Sequence, residues 1–217
     1  MDKFIVSGGK KLIGDTSVSG AKNVALKALV AACLTDKEVV IENIPLISDL
    51  MIMTDIIEEL GGSTKIDGHR IVVHVPQFKK TKIALERAVE VRASALFMSP
   101  LLGRMGEAVI PNPGGCRIGA RPIDRTIDGL RAMGVDVVYK SSDGYFYMKA
   151  KDGLHGADYT FKKSTHTGTE TLILVAVLAR GRTILRNAAQ EPEVDELISL
   201  LNQMGAKVRK TDKRTIE

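Results

Sequence analysis

Three copies of one helix-strand-helix-strand unit predict an α/β (α+β) domain with pseudo-three-fold symmetry, an inside-out barrel whose helices lie inside a ring of sheets. The first observation is a gapless pair of copies. Leu34-Thr-Asp-Lys-Glu-Val-Val-Ile-Glu-Asn43 has its counterpart in Leu178-Ala-Arg-Gly-Arg-Thr-Ile-Leu-Arg-Asn187. Each follows an apolar run, Ala25 to Cys33 or Leu172 to Val177. Each leads, past Pro45 or Pro192, into an amphipathic stretch ending in Glu59-Leu-Gly-Gly62 or Gln203-Met-Gly-Ala206. Leu34 and Gly61 are 27 residues apart, and so are Leu178 and Gly205. The second observation is a copy between them: Ala93 to Leu102 as the apolar run, Ala108 to Ile110 as the strand, Arg131 to Val135 as the helix end. Here Leu102 and Gly134 are 32 apart, so five extra residues lie in the stretch Pro111 to Pro122. Alternating βα units resemble one another by chance, but two matching registers argue against that.

The elements follow in order. In each unit the apolar run is the buried helix, and the amphipathic stretch is a helix with one face on the core. The Leu-Gly or Met-Gly pair ends that helix with a left-handed C′ residue. Strands come next, at Ile71 to Val73, Val135 to Tyr139 and Tyr145 to Met148. The repeats span about residues 22–90, 91–160 and 161–217, with residues 1–21 as a leading segment.

Composition bounds the function. The chain has 217 residues, 44% of them hydrophobic and 26% charged, ample for a core and unlike a disordered segment. The longest apolar run, Leu172 to Ala179, is far short of the ~20 residues a membrane span needs. Met1-Asp2-Lys3 opens a polar, Gly-rich stretch with no signal-peptide pattern. Two cysteines, Cys33 and Cys116, make no disulfide framework, so a cytoplasmic location with reduced thiols is expected. A net charge of +5, scattered basic residues and 4% aromatics exclude nucleic acid as the expected partner and suit small phosphorylated ligands instead. His69, His74, His155 and His166 do not sit at metal-ligand spacing, and no metal or cofactor is expected.

Loops that break the repeat are where function is sought. The insertion Pro111-Asn-Pro-Gly-Gly-Cys-Arg-Ile-Gly-Ala-Arg-Pro122 has prolines at its ends and glycines within, the pattern of a lid. Cys116 lies beside Arg117 and near Arg121, cations that favour the thiolate; a buried inert thiol is the bland alternative. Cys33, on an apolar helix, fits the bland reading. Gly20-Ala-Lys-Asn23 opens the first helix with backbone N–H groups and a cation, either a phosphate site or a solvated first turn. Lys162-Lys-Ser-Thr-His-Thr-Gly-Thr-Glu170 enters the third repeat. It reads as an anion site, or as a capping segment in which Thr167 or Thr169 pairs with Glu170. Lys22, Arg92 and Lys163 place a cation near the first helix of every repeat, which points to an anionic ligand near the symmetry axis.

These residues carry a resemblance. Ser19-Gly-Ala-Lys-Asn23, Asn43-Ile-Pro45 with Asp49, Arg92-Ala-Ser94, Pro113-Gly-Gly-Cys-Arg-Ile-Gly-Ala-Arg-Pro-Ile-Asp124 and Asn187-Ala-Ala-Gln-Glu-Pro-Glu193 together resemble the enolpyruvyl transferases, in the branch that acts on UDP-N-acetylglucosamine. The resemblance implies transfer of the enolpyruvyl group of phosphoenolpyruvate to the sugar's 3-hydroxyl, the first committed step of peptidoglycan synthesis. It implies Cys116 as catalytic proton donor and fosfomycin target. Lys22, Asn23 and Arg121 would bind phosphoenolpyruvate. Arg92, Arg121, Pro122, Ile123, Asp124, Arg125, Lys163, Ser164, Thr165 and His166 would bind UDP-N-acetylglucosamine. Where the family reads Ser-Val-Gly-Ala-Thr this chain reads Thr165-His-Thr-Gly-Thr169. The family is about twice as long, with a second three-fold domain that closes on the substrates and takes in the first twenty or so residues. The resemblance therefore implies a missing second domain and little turnover without it; a non-catalytic UDP-sugar-binding domain that retains the loop is the alternative.

Overall fold

The computed structural model describes residues 3–113 and 123–217. The first repeat contains α1 (Lys22–Ala32), β1 (Val39–Ile41), α2 (Ser48–Glu59), β2 (Ser63–Asp67) and β3 (Arg70–His74). The second contains α3 (Leu85–Glu90), a 3-10 turn (Arg92–Phe97), α4 (Met98–Met105), β4 (Glu107–Pro111), α5 (Asp124–Ala132), β5 (Asp136–Lys140) and β6 (Tyr145–Lys149). The third contains β7 (Asp158–Thr160), α6 (His166–Ala176), β8 (Ile184–Arg186), α7 (Pro192–Gln203), β9 (Lys210–Asp212) and β10 (Thr215–Ile216).

The sheets repeat one order. They run β1-β3-β2, β4-β6-β5 and β7-β8-β10-β9, so the last strand of each unit lies between the two before it, and the third sheet adds β7 outside β8. The unit ends in a hairpin, one strand more than the sequence reading placed in the first copy. Ser63–Asp67 is half-exposed and polar, so its strand lacks an apolar signature. α1 and α6 are buried almost all round, Ala25 to Ala32 and Gly168 to Val175. α2, α5 and α7 bury one face each. Helices inside and sheets outside is the predicted arrangement.

Backbone details repeat too. Gly61, Gly134 and Gly205 take φ values of 106, 87 and 100°, and Asn43 and Asn187 take 55 and 54°. Asn tolerates that left-handed conformation better than most side chains, so both turns keep it. The middle repeat departs from the expected single helix over Ala93 to Leu102. Pro100 has no N–H to give the Leu96 carbonyl, so an α-helix cannot run through from Arg92. A 3-10 turn precedes α4, whose first turn accommodates the proline.

The first two hairpins return to the helix before them. Lys79 N donates to Leu60 O at 2.8 Å and His155 N to Met133 O at 3.1 Å, beside buried Phe78 and Leu154. In the third repeat a cavity of about 520 Å³ stands beside Gly205, lined by Ile173, Val177, Leu185, Val208 and others.

Arg104 ties the first two repeats together. Its guanidinium donates to the carbonyls of Cys33, Thr35, Val75 and Pro76 and stacks on Phe78. Removing a charged donor from partly buried acceptors costs about 2–3 kcal/mol. Arg104→Ala should therefore lower the urea unfolding free energy by about that much, against under ~0.5 kcal/mol for exposed Arg131→Ala. Cys33 is buried, donates Sγ–H to Leu29 O, and burial pushes its pKa up to about 12, so its thiol is inert as read.

Residues 3–20 form no helix or strand, and Phe4, Ile5, Val6, Leu12, Ile13 and Val18 lie exposed. The segment joins the domain at Gly20, whose N–H donates to Asn43 O at 3.0 Å. Among the described residues no helix is long and apolar enough to cross a membrane.

Candidate functional site

The entry of α1 is fixed by close approach. A Cβ on Gly20 would stand 2.0 Å from Asn43 O, so only glycine lets the chain pass that carbonyl into the helix. Lys22 and Asn23 follow as the first two helical residues. Lys22 Nζ meets Asp49 Oδ2 at 2.6 Å, and Asn23 Nδ2 donates to Glu193 Oε1 at 3.2 Å. Beside them opens a groove of about 750 Å³, lined by Gly20, Val24, Asn43, Ile44, Pro192, Glu193 and others. Glu193 sits in the first turn of α7, where its own backbone N–H and then Asn23 hold its carboxyl below the ordinary range against the opposing effect of burial.

The entry of α6 is capped differently from the sequence expectation. Thr165, not Thr167 or Thr169, is the N-cap, accepting from Gly168 N at 3.3 Å. Thr169 is committed inward, its Oγ1 accepting from Ala189 N at 3.0 Å, and Thr171 bonds back to Thr167 O. Lys163 lies in the loop before the cap rather than on the helix. Ser164 lines a shallow depression with Gln190, Glu191 and Arg214.

Two anchors bring further entries alongside. A Cβ on Gly168 would lie 3.1 Å from Thr126 Oγ1, so the first turns of α5 and α6 adjoin. Ile123, Asp124 and Arg125 open α5, and Tyr159 OH donates to Arg125 O at 2.8 Å. Arg92 begins the 3-10 turn and is half-buried.

Below these entries lies a cluster the sequence reading missed. Glu170, fully buried, faces Lys27 Nζ and His166 Nε2, each 3.0 Å from the same oxygen, Oε1. Neither contact is aligned as a good hydrogen bond, and Oε2 has no partner among the described residues. The Glu170 carboxylate raises the His166 pKa; burial and Lys27 oppose the rise, and Glu191 adds to it. Lys27 had a readable signal, a lone charge within the apolar run Val24 to Ala32.

Named contacts thus tie Lys22 to α2, Asn23 to the acidic start of α7, and His166 to α1 through Glu170 and Lys27, and the first turn of α5, with Asp124 and Arg125, adjoins the α6 entry. Lys22 and His166 each lean on a carboxylate, Asp49 and Glu170. Cys116, Arg121 and Pro122, with the rest of the Pro111 to Pro122 loop after Pro113, lie outside the described residues. No group of three or more His, Cys, Asp or Glu side chains among the described residues is placed to hold a metal ion.

Comparison with known proteins bears on this arrangement. A family model for EPSP synthase (3-phosphoshikimate 1-carboxyvinyltransferase) matches residues 6–217. UDP-N-acetylglucosamine 1-carboxyvinyltransferase of Campylobacter fetus subsp. fetus is 42% identical over 208 residues, which cover 96% of this chain and 49% of the relative. The protein of that name from Acidobacterium capsulatum is 44% identical over 212 residues, with 96% and 48% covered. The chain spans about half the length of the curated relatives it matches. Among solved structures, the enolpyruvyl transferase NikO from Streptomyces tendae superposes with a TM-score of 0.83 at 20% identity, covering 96% of this chain and 49% of that one. That likeness is one of fold.

Proposed function

The chain belongs to the EPSP synthase family, and from that premise we propose that it forms part of an enzyme moving the enolpyruvyl group of phosphoenolpyruvate onto the 3-hydroxyl of UDP-N-acetylglucosamine. The observation that carries the choice of substrate is the 41–44% identity, over nearly the whole chain, to relatives named for that reaction. The Pro113 to Asp124 motif and the Lys22-Asn23 entry agree with it.

In this reading the sugar 3-hydroxyl gives its proton to a base as its oxygen bonds to C2 of phosphoenolpyruvate, while Cys116 supplies a proton to C3. One proton then leaves C3 for a base as the C2–O bond to phosphate breaks, which restores the double bond on the transferred group and releases phosphate. C2 carries positive charge as it changes bonding, and both substrates are anions, so positioning and fixed charge supply most of the catalysis. Lys22, Asn23 and Arg121 hold phosphoenolpyruvate, Arg121 through the planar fork suited to carboxylate and phosphate. Arg92, the stretch Arg121 to Arg125 and the stretch Lys163 to His166 hold the uridine diphosphate sugar. Asp49 orients Lys22 until an anion takes its place. A second domain of the kind implied by the length of the relatives completes the site around residues 22–217, and the exposed apolar residues 4–18 pack with it. The reaction belongs to cytoplasmic peptidoglycan synthesis.

Intact-mass measurement of fosfomycin labelling tests this. One adduct is expected, at Cys116, forming faster with UDP-N-acetylglucosamine present and absent in Cys116→Ser. Cys33, buried with its pKa near 12, stays unmodified. Labelling indifferent to the nucleotide sugar, or none, would favour a non-catalytic domain. Phosphate release by the 217-residue chain alone is expected at background.

A further inference from the structure

A fully buried carboxylate shared by two cations needs a reason beyond stability, because well-packed apolar residues in place of a buried ion pair are often neutral or better. Glu170 is such a carboxylate, and it joins two repeats: Lys27 comes from α1 and His166 from the first turn of α6. Nε2 of His166 is buried against it, yet the side chain is 26% exposed, so the exposure lies on the rest of the ring. In the imidazolium the second N–H, on Nδ1, is the one left to donate outward.

The charges facing His166 make its proton count. Glu170 faces it from its own helix, Lys27 from α1, and Glu191 and Glu193 from the start of α7. Without the proton this group holds three carboxylates against one ammonium; with it, three against two. An anionic ligand beside Lys163 and Ser164 meets markedly less repulsion in the second state.

We propose that Glu170 is a positioning residue that keeps His166 in place as an imidazolium, and that His166 gives this chain a proton-dependent contact to the diphosphate of its nucleotide ligand. The inference rests on the nucleotide reading above and deepens it: nucleotide affinity falls as pH rises through the titration of His166. Lys27 makes the arrangement stable, since it leaves Glu170 paired when His166 is neutral.

The test follows the four histidine ring signals by NMR in the 217-residue chain, with and without UDP-N-acetylglucosamine, assigning His166 through His166→Gln. His166 should titrate above the ordinary value of about 6.5 and move higher when the ligand is bound. Affinity should weaken about tenfold between about pH 6 and about pH 9. His166→Gln should abolish that slope, and His166→Lys should restore tight binding while removing it. Lys27→Met/Glu170→Leu, which removes the carboxylate without stranding a buried charge, should return His166 to its ordinary titration and move the slope to lower pH. Binding with a slope unchanged in His166→Gln, or a His166 midpoint the ligand does not shift, overturns this inference alone. No binding at any pH overturns the nucleotide reading and this inference with it.

Discussion

Glu170→Gln is expected to cost the domain about 3–5 kcal/mol, the usual penalty for removing one partner of a buried pair. The amide keeps the shape but leaves the Lys27 ammonium, 7% exposed, without its counter-charge. By contrast, Lys27→Met/Glu170→Leu removes both charges together and should fall within about 1–2 kcal/mol of the parent, on either side. The pH dependence separates electrostatics from packing. His166 has a raised pKa in the folded chain, so its contribution to stability is fully present below its unfolded pKa of about 6.5. It is lost as pH rises through the higher folded value. Urea titrations should therefore show the parent losing stability over that window, while Glu170→Gln and the double variant do not. A cost under about 1 kcal/mol for Glu170→Gln would mean that water reaches Lys27.

The contrast between the Leu34–Gly61 register and the Lys27–Glu170 pair explains how much was legible in the sequence. Within a repeat, local chemistry dictates the outcome: apolar runs bury, Gly61, Gly134 and Gly205 accept a left-handed turn, and Asn43 and Asn187 do the same a helix earlier. Those facts are written at one spacing in the first and third copies, and the middle copy repeats the helix-ending glycine. Between repeats no such rule operates. Lys27 and Glu170 meet because α1 packs near α6, which depends on the closure of the whole barrel. The same holds for Asn23 and Glu193, and for Arg104 reaching four carbonyls of the first repeat. β2 escaped notice for a different reason: at the rim of its sheet Ser63–Asp67 buries too little to carry an apolar pattern. Thr165, Thr167 and Thr169 carry the same hydroxyl at two-residue spacing, so the sequence does not rank them as caps; the bond from Gly168 N to Thr165 and the inward bond from Ala189 N to Thr169 decide between them. The candidate site followed this division. Its motifs could be read, Asp49 and Glu170 among them, but the pairing of those carboxylates with Lys22 and His166 could not.

Gly20→Ala is expected to damage ligand binding far more than folding. The added Cβ would stand 2.0 Å from Asn43 O and 3.2 Å from its carbonyl carbon, backbone atoms that no rotamer change relieves. Asn43 is itself held at φ 55° between β1 and the turn into Pro45, so it has little room to withdraw. The strain is therefore released at the other side, by moving the chain before α1 and opening the Gly20–Asn43 hydrogen bond. Residues 3–19 are exposed and carry no core contact, so the cost in stability should stay near 1 kcal/mol, the worth of that bond. Lys22 and Asn23 are two and three residues away, and a displacement of their helix entry of about 1 Å is enough to lose roughly 100-fold in a reaction that depends on placement. UDP-N-acetylglucosamine-stimulated labelling of Cys116 by fosfomycin should fall by about that factor, with the unstimulated rate little changed. Gly8→Ala, where an added Cβ meets nothing within 4 Å, should leave both rates as they are. If Gly20→Ala retained the full stimulation, the entry of α1 would not be what positions Lys22 and Asn23 for the ligand.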